Sequence, residues 1–535
     1  MTDQDSLQNI SCTSGGREIA RPSVIEVEQY GIESIPDAHR DASIYDFMRL
    51  CWGGANSLAT AVLGTFPIMF GLSFWQAAAA TALGLVVGSL VLAPMSIFGP
   101  INGTNNAVSS SAHFGVVGRI VGSFLSLLTA IAFFAISVWS SGDAVVGAAR
   151  VVFHIRGSDA QVALVYGVFA LSVLIVCIYG FQMMLLINKV AVIASTLLFI
   201  SGLAVFWPHF DPNYSGSGLR SATLGFWPPF ISSVLVVLAN PISFGAFLGD
   251  WARYLPRHTS KRLLIVATIG AQLLTFLPFL FGLITASIVA QLAPDYLSRA
   301  DYTGGLLTVA PHRFLAPLLA LAVLSGMSTG TTSLYGTGLD FSSVFPRLSR
   351  PRATLLIGTI ACVLIFLGRF YFSLFGSIST FVSLIIVTTT PWMVIMMIGY
   401  LVRRGFYLPD AMQVFNRGQT GGPYWFRQGW NLAGMCAWVG SSLIALLTVN
   451  IPGHFVGWLG NLAGGIDVSL VVALILPAIL YPLCLRLFPE PRAVYGPGGS
   501  RFIPIIDIPI APIVGSRRPA ANVSAQQPTA RAGNP

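Results

Sequence analysis

From Phe47 to Phe488 the chain alternates long apolar stretches with short polar ones. A helix rises 1.5 Å per residue, so about 20 apolar residues cross the roughly 30 Å hydrocarbon layer of a bilayer. On that scale the pattern predicts twelve membrane-spanning helical segments, at about 47–70, 74–99, 118–141, 162–181, 187–207, 227–249, 263–290, 314–336, 353–371, 374–401, 431–449 and 467–488. Two of them are interrupted. The first carries Trp52-Gly53-Gly54-Ala55-Asn56, and the sixth carries Asn240-Pro241 followed by Phe244-Gly245. Unwound backbone at membrane depth is tolerated only where it is buried in protein or lines a cavity. Interrupted segments in matching halves of a bundle point to a transporter's binding site.

Composition agrees with that pattern. Of 535 residues, 54% are hydrophobic and 9% charged, against roughly 25% charged in soluble domains. The +9 formal charge would suggest nucleic acid in a soluble protein, but its placement argues otherwise. Lys189, Arg253, Arg257, Lys261, Arg262, Arg347, Arg350, Arg352, Arg403, Arg404, Arg417 and Arg427 fall in the even-to-odd loops. Fewer cations occupy the opposite loops, which predicts that both termini are cytoplasmic. No nucleic-acid partner is expected. The six cysteines show no metal-ligand or CxxC spacing and read as small apolar residues. Residues 1–45 form a polar cytoplasmic lead without an apolar core, so no cleaved secretory signal is expected. Residues 46–489 form the transporter domain, and 490–535, rich in Pro, Gly, Ala and Ser, read as a disordered cytoplasmic tail.

Candidate chemistry sits in three segments. In the third, Phe133 and Ser137 are four apart and share a helix face, a ring and a hydroxyl suited to a flat heterocycle. The plain alternative is that such aromatics pack on lipid or neighbouring helices. In the eighth, Ser325, Ser328, Thr329, Thr331, Thr332 and Ser333 put six hydroxyls within nine residues. Hydroxyls in membrane helices commonly bond the carbonyl one turn back. A run this dense could also wall a substrate cavity or ligate a hard cation. Asp143, Asp250, Asp340 and Asp467 lie near predicted segment ends, where a structural role outweighs proton transfer. The histidines also lie at or near ends, with no HxxxH or HExxH pattern, so an intramembrane enzyme is not expected.

Several short motifs, in order, carry a resemblance to a known family. They are Val27-Glu-Gln-Tyr-Gly-Ile-Glu-Ser-Ile-Pro36, Trp52 with Ala55-Asn56, Gly71-Leu-Ser-Phe-Trp-Gln76, Gly99-Pro-Ile-Asn-Gly103, Phe114-Gly-Val-Val-Gly118 and Asp250-Trp-Ala-Arg-Tyr-Leu-Pro256. From about Val27 to Leu487 the chain resembles the nucleobase–cation symporter-1 family, purine–cytosine permease branch. The resemblance implies an all-α polytopic membrane protein of twelve helices, in which a LeuT-like pair of inverted five-helix repeats is followed by two C-terminal helices. It implies alternating-access symport of a purine, pyrimidine or related ring with a proton or sodium ion. No other cofactor is expected, and the chain should act as a monomer in the plasma membrane.

The same resemblance assigns Phe133 and Phe244 to the two faces of the bound ring. It assigns Ser137 to a hydrogen bond where many relatives carry Asn or Gln, and Gly53, Asn56, Gly245, Thr332 and Ser333 to the remainder of the substrate site. A sodium ion would take Ser328 and Thr329 with backbone near Gly53 and Ala55. The ninth-to-tenth connection at Phe372-Ser373 and the tenth helix at Gly376 would form an outer gate. A transporter of amino acids or other small organic ions with the same architecture is the alternative; it should present a broken first helix to a carboxylate.

Overall fold

In a computed structural model, the structure describes residues 31–153, 158–216 and 225–515, apart from 346–347, 349, 372–373, 452–454, 504 and 506. Helices occupy the predicted segments. Nine of the described helices are long and apolar enough to cross a membrane, and shorter apolar helices at Leu58–Met69, Pro351–Leu367 and Leu432–Leu447 coincide with the first, ninth and eleventh predicted segments. Phe372 and Ser373 of the expected gate, and residues 1–30 of the lead, lie outside the described residues, while Gly376 falls in the helix Leu374–Leu384.

The first and sixth segments are both interrupted. The first divides into Ile44–Ala55 and Leu58–Met69, and the sixth into Trp227–Ser243 and Leu248–Ala252. The third (Ile120–Phe153) and eighth (Leu315–Val344) are long helices packed along each other, with the fifth (Phe181–Phe206) on the eighth. The second half of the first segment, Leu58–Met69, packs on the seventh, and the sixth packs on the second. No hydrophobic gain drives helix pairing in lipid, so close backbone approach has to serve. At Gly64 and Gly282 the approach is reciprocal. A Cβ on Gly64 would lie 2.5 Å from the Phe279 carbonyl oxygen, and one on Gly282 2.0 Å from that of Ala61.

The outer surface is apolar in stripes. Leu164, Val168, Leu171 and Ile175 of the fourth segment, and Val471, Ile475, Ile479, Leu483 and Leu487 of the twelfth, are exposed at helical spacing, the face a lipid-embedded helix presents. Exposed Trp75, Trp207, Trp227 and Trp458 all fall, by alternation of the segments, at the end opposite the Lys- and Arg-rich loops. Aromatic belts mark such interfaces.

At the basic end, residues of the lead close over the bundle. Arg40 Nε donates to the Ile35 carbonyl at 2.7 Å and Nη1 to that of Pro100 at 3.1 Å. Gly103, at φ 66°, leaves room for the Arg40 guanidinium. The segment read as a disordered tail is described to Gly515. It opens on Glu490, fully buried against Arg403 at 2.6 Å, and returns to Thr420 through a bridge at Val514.

Candidate functional site

The first-segment break is set by Asn56-Ser57, not by the glycine pair. Helical bonding runs through Gly53 and Gly54 to the Asn56 amide, which donates to the Trp52 carbonyl at 2.8 Å. Ser57 is extended (φ −140°, ψ 163°), and its hydroxyl accepts the Thr60 amide as an N-cap. The chain therefore restarts a helix at Leu58 whatever precedes it. Ser325 of the eighth segment accepts the Leu58 amide at 3.1 Å. The opening amides of this half-helix are thus largely taken by Ser325 and Ser57. A carboxylate would find few of them available, which counts against the amino-acid alternative.

The glycines serve close approach instead. A Cβ on Gly53 would stand 2.1 Å from Asn188 Nδ2 and 2.4 Å from Val192 Cγ2, both on the fifth segment. A Cβ on Gly54 would stand 3.0 Å from Phe244 Cε1 and 3.3 Å from Thr332 Oγ1. Gly54 is accordingly where the first, sixth and eighth segments meet.

Pro241 remains inside its helix. Beyond it the bonds tighten to three-residue spacing, Phe244 amide to Pro241 carbonyl at 3.1 Å and Gly245 amide to Ile242 carbonyl at 2.9 Å. The helix opens at Phe244–Phe247 and re-forms at Leu248. Phe244 faces inward, with Phe247 and Trp251 behind it at ring-centroid distances of 5.3 and 5.7 Å.

Phe133 and Phe244 come together, both buried, with centroids 6.2 Å apart and planes at 52°. Two rings holding a flat ligand between parallel faces stand about 7 Å apart, twice the optimal carbon contact. The pair is thus tilted and slightly too close for a ligand to lie between parallel faces. Phe381 of the tenth segment meets Phe133 edge-on at 5.6 Å, a third ring that sequence reading did not single out. Ser137, one turn from Phe133, is fully buried, and its Oγ has no partner among the described residues.

The remaining expected residues divide. Thr332 reaches the Gly54–Phe244 junction, its hydroxyl donating back to the Ser328 and Thr329 carbonyls at 2.9 and 3.0 Å. Ser333 is buried beside it. Asn56 Nδ2 donates to Ser195 Oγ at 3.0 Å and Thr196 Oγ1 at 2.9 Å on the fifth segment, while its Oδ1 is buried with no partner among the described residues. Gly245 sits against Met393, and its carbonyl accepts Asn106 Nδ2 at 2.9 Å. For the cation, Ser328 Oγ donates to the Gly53 carbonyl at 2.9 Å, which brings the expected first-to-eighth contact together. Thr329 Oγ1 is buried with no partner among the described residues. The Ala55 carbonyl accepts the Ser57 amide at 3.0 Å.

Sequence reading did not single out Asn188 or the side chain of Asn240, which the fold buries against Ser328 and one turn before Phe244. A lone Asn in an apolar helix is the available signal, because intramembrane polar groups are costly and therefore tied to function. Asn240 lies one turn before Phe244, is buried, and has no partner for either amide atom among the described residues.

The fold is that of known cation symporters. The nucleobase-cation-symport-1 family transporter Mhp1, closed with bromovinylhydantoin bound, matches at TM-score 0.68 and 16% identity, covering 88% of this chain and 98% of that one. Its inward-facing form matches at 0.65. A sodium-coupled sialic acid symporter matches at 0.57 and 14% identity, covering 89% and 94%. This is the LeuT-like architecture expected above. In sequence, the chain is 26% identical over 483 residues to YxlA of Bacillus subtilis (strain 168), named as a purine-cytosine permease, covering 88% of this chain and 98% of that one. It is also 26% identical over 408 residues to the vitamin B6 transporter TPN1 of Saccharomyces cerevisiae, covering 71% and 67%. Residues 34–472 match the family described as permease for cytosine/purines, uracil, thiamine, allantoin, and the chain belongs to that family.

Proposed function

We propose that this permease imports a flat nucleobase-type heterocycle across the cell membrane by symport with a cation, with both termini cytoplasmic. The observation that carries the reading is the Phe133–Phe244 pair beside two interrupted helices, with the buried Ser137 hydroxyl one turn away. The relatives described above are named for, or bound to, ring-shaped compounds: a purine or cytosine, vitamin B6 and a hydantoin.

In this reading the substrate enters from the outside and pushes the tilted rings towards parallel. Ser137 and the Thr332 region meet its polar edge. Ser137 offers a single hydroxyl donor, where an amide would offer a carbonyl and two hydrogens, so the preferred ring differs in its edge pattern from one read by Asn or Gln. A cation held between the Gly53 carbonyl and the Ser328–Thr329 hydroxyls ties the first segment to the eighth. Because binding free energies are linked, the ring and the cation raise each other's affinity by the same factor. Rocking of the first, second, sixth and seventh segments against the rest then opens the inner side.

The test is uptake by proteoliposomes of radiolabelled cytosine, uracil, hypoxanthine, allantoin and pyridoxine, with and without a sodium gradient. Saturable uptake of one ring that is lost in Phe133→Ala is expected. Uptake of none of them, with uptake of an amino acid instead, would overturn the reading.

A further inference from the structure

The cation contact between the first and eighth segments has a third member, and it comes from the fifth. Asn188 is fully buried. Its Nδ2 donates to Ser328 Oγ at 3.0 Å, and the same hydroxyl donates to the Gly53 carbonyl at 2.9 Å. The absent side chain of Gly53 is what admits the amide, since a Cβ there would collide with Nδ2 at 2.1 Å. On the other side of the amide, Asn188 Oδ1 is buried with no partner among the described residues. Thr329 Oγ1, next to Ser328 in the chain, is in the same condition. A buried acceptor without a donor costs about 1–3 kcal/mol, so Asn188 Oδ1 at this junction marks a place where something electropositive belongs.

The dimensions suit a small hard cation. Oxygens ligating such an ion at roughly 2.3–2.6 Å lie about 3.4 Å from one another in an octahedral arrangement. The Gly53 carbonyl oxygen, Ser328 Oγ and the nearer amide atom of Asn188 are already spaced by 2.9 and 3.0 Å. Half a turn of the amide exchanges Nδ2 for Oδ1 with almost no change of shape. That turn replaces the one N–H donor in the group by a third oxygen. The donor set is then a backbone carbonyl, two hydroxyls and an amide carbonyl. All are neutral, and none takes up or releases a proton near neutral pH. A proton has no base to sit on here, whereas a sodium ion has its preferred ligands.

We propose that Asn188 is a ligand of the coupling ion through Oδ1, so that the site draws on three helices and selects sodium over the proton. This deepens the cation-coupled reading above and rests on it. Because Gly53 belongs to the interrupted first segment and Asn188 and Ser328 to the fifth and eighth, the ion would lock the first segment against its neighbours.

The test reads sodium binding without any substrate. Purified full-length protein is unfolded thermally in increasing NaCl, with choline chloride holding ionic strength constant, for the wild type, Asn188→Ala and Asn188→Asp. Sodium should raise the wild-type midpoint saturably. Asn188→Ala should need on the order of tenfold more sodium or greater, the loss usual for groups that shape a metal site. Asn188→Asp keeps Oδ1 and puts a second oxygen where the NH2 was, so it should match or exceed the wild-type affinity. A purely structural amide donating to Ser328 predicts the opposite, with both variants equally impaired. That result overturns the proposal, as does wild-type affinity in Asn188→Ala or a wild type indifferent to sodium. If Asn188→Ala does not fold, Asn188→Asp decides alone. Failure of the nucleobase reading would leave the sodium titration unchanged, so the two can fail separately.

Discussion

Adjacent glycines in the first segment should respond oppositely to one added methyl group. At Gly54, alanine brings about 1 kcal/mol of helix propensity, and the new carbon lies 3.0 Å from Phe244 Cε1 and 3.3 Å from Thr332 Oγ1. The Thr332 hydroxyl is held by two carbonyls, and Phe247 and Trp251 back the Phe244 ring. Relief therefore comes from the ring moving about 0.5 Å towards Phe133, a shift that forfeits a quarter or more of an optimal carbon contact. Gly54→Ala should keep its melting midpoint within about 1 kcal/mol of wild type while losing on the order of 1 kcal/mol in substrate binding, close to a fivefold rise in Kd. At Gly53 the carbon would sit 2.1 Å from Asn188 Nδ2 and 2.4 Å from Val192 Cγ2. That overpacking costs about 1–3 kcal/mol and should appear as a lowered midpoint. Thermal unfolding in detergent and equilibrium binding of the transported ring, run on both variants, check this. A stable Gly54→Ala protein with wild-type affinity would show that Phe244 does not bound the substrate, and a Gly53→Ala protein as stable as wild type would refute the fifth-segment contact.

Phe133→Ala removes one ring of the aromatic pair, and a ring stacked on the bound heterocycle is worth about 0.5–1.5 kcal/mol beyond its buried area. Kd should rise roughly tenfold or more, with insertion into the membrane unchanged by fractionation. Asn240→Leu discards a buried amide with no partner among the described residues and should raise the melting midpoint by the equivalent of about 1–3 kcal/mol; a lowered midpoint would mean that the amide is satisfied. Glu490→Gln leaves Arg403 charged and fully buried, a loss of about 3–5 kcal/mol to be read as a lower unfolding midpoint. Two residues before the helix Ser469–Leu487 begins, burial pushes the Asp467 carboxyl up, opposed by hydrogen bonds from Ser469 and Asn450. A carboxyl raised by folding binds its proton more tightly in the folded state, so its contribution is full below the ordinary carboxylate range and is lost as pH rises through the raised value. The wild-type midpoint should fall across that window relative to Asp467→Asn, and parallel pH profiles would contradict the assignment.

The segments were legible because lipid imposes one simple rule, a long apolar run for each crossing, and loop charge supplies orientation. The breaks were legible only to the nearest turn. The break falls at the end of the Trp52–Asn56 stretch and not at its glycine pair, because in a tightly packed bundle a missing side chain more often admits a neighbour. Here it admits Asn188 on one side and Phe244 on the other. The signal that sets the break was present in Ser57-Leu-Ala-Thr60, a cap read from its own first turn. Phe133 and Ser137 were candidates by a spacing that suits ordinary packing as well, and family resemblance gave them and Phe244 their expected roles. Phe381 and Asn188 could not be reached that way. Each acts through residues far along the chain, Asn188 through Ser328 at a separation of 140 residues, and no periodicity within one helix reports which neighbour its polar face will meet. Asn56 illustrates the same limit from the other side. Its position in the break suggested a substrate contact, while its amide holds the break to Ser195 and Thr196. An unwound turn in hydrocarbon must satisfy its own backbone and side chains before it can serve a ligand, so polar residues nearest a break are the first to be consumed by the fold. Those left unpaired one turn away, such as Ser137 and Asn240, are the better guide to what the protein binds.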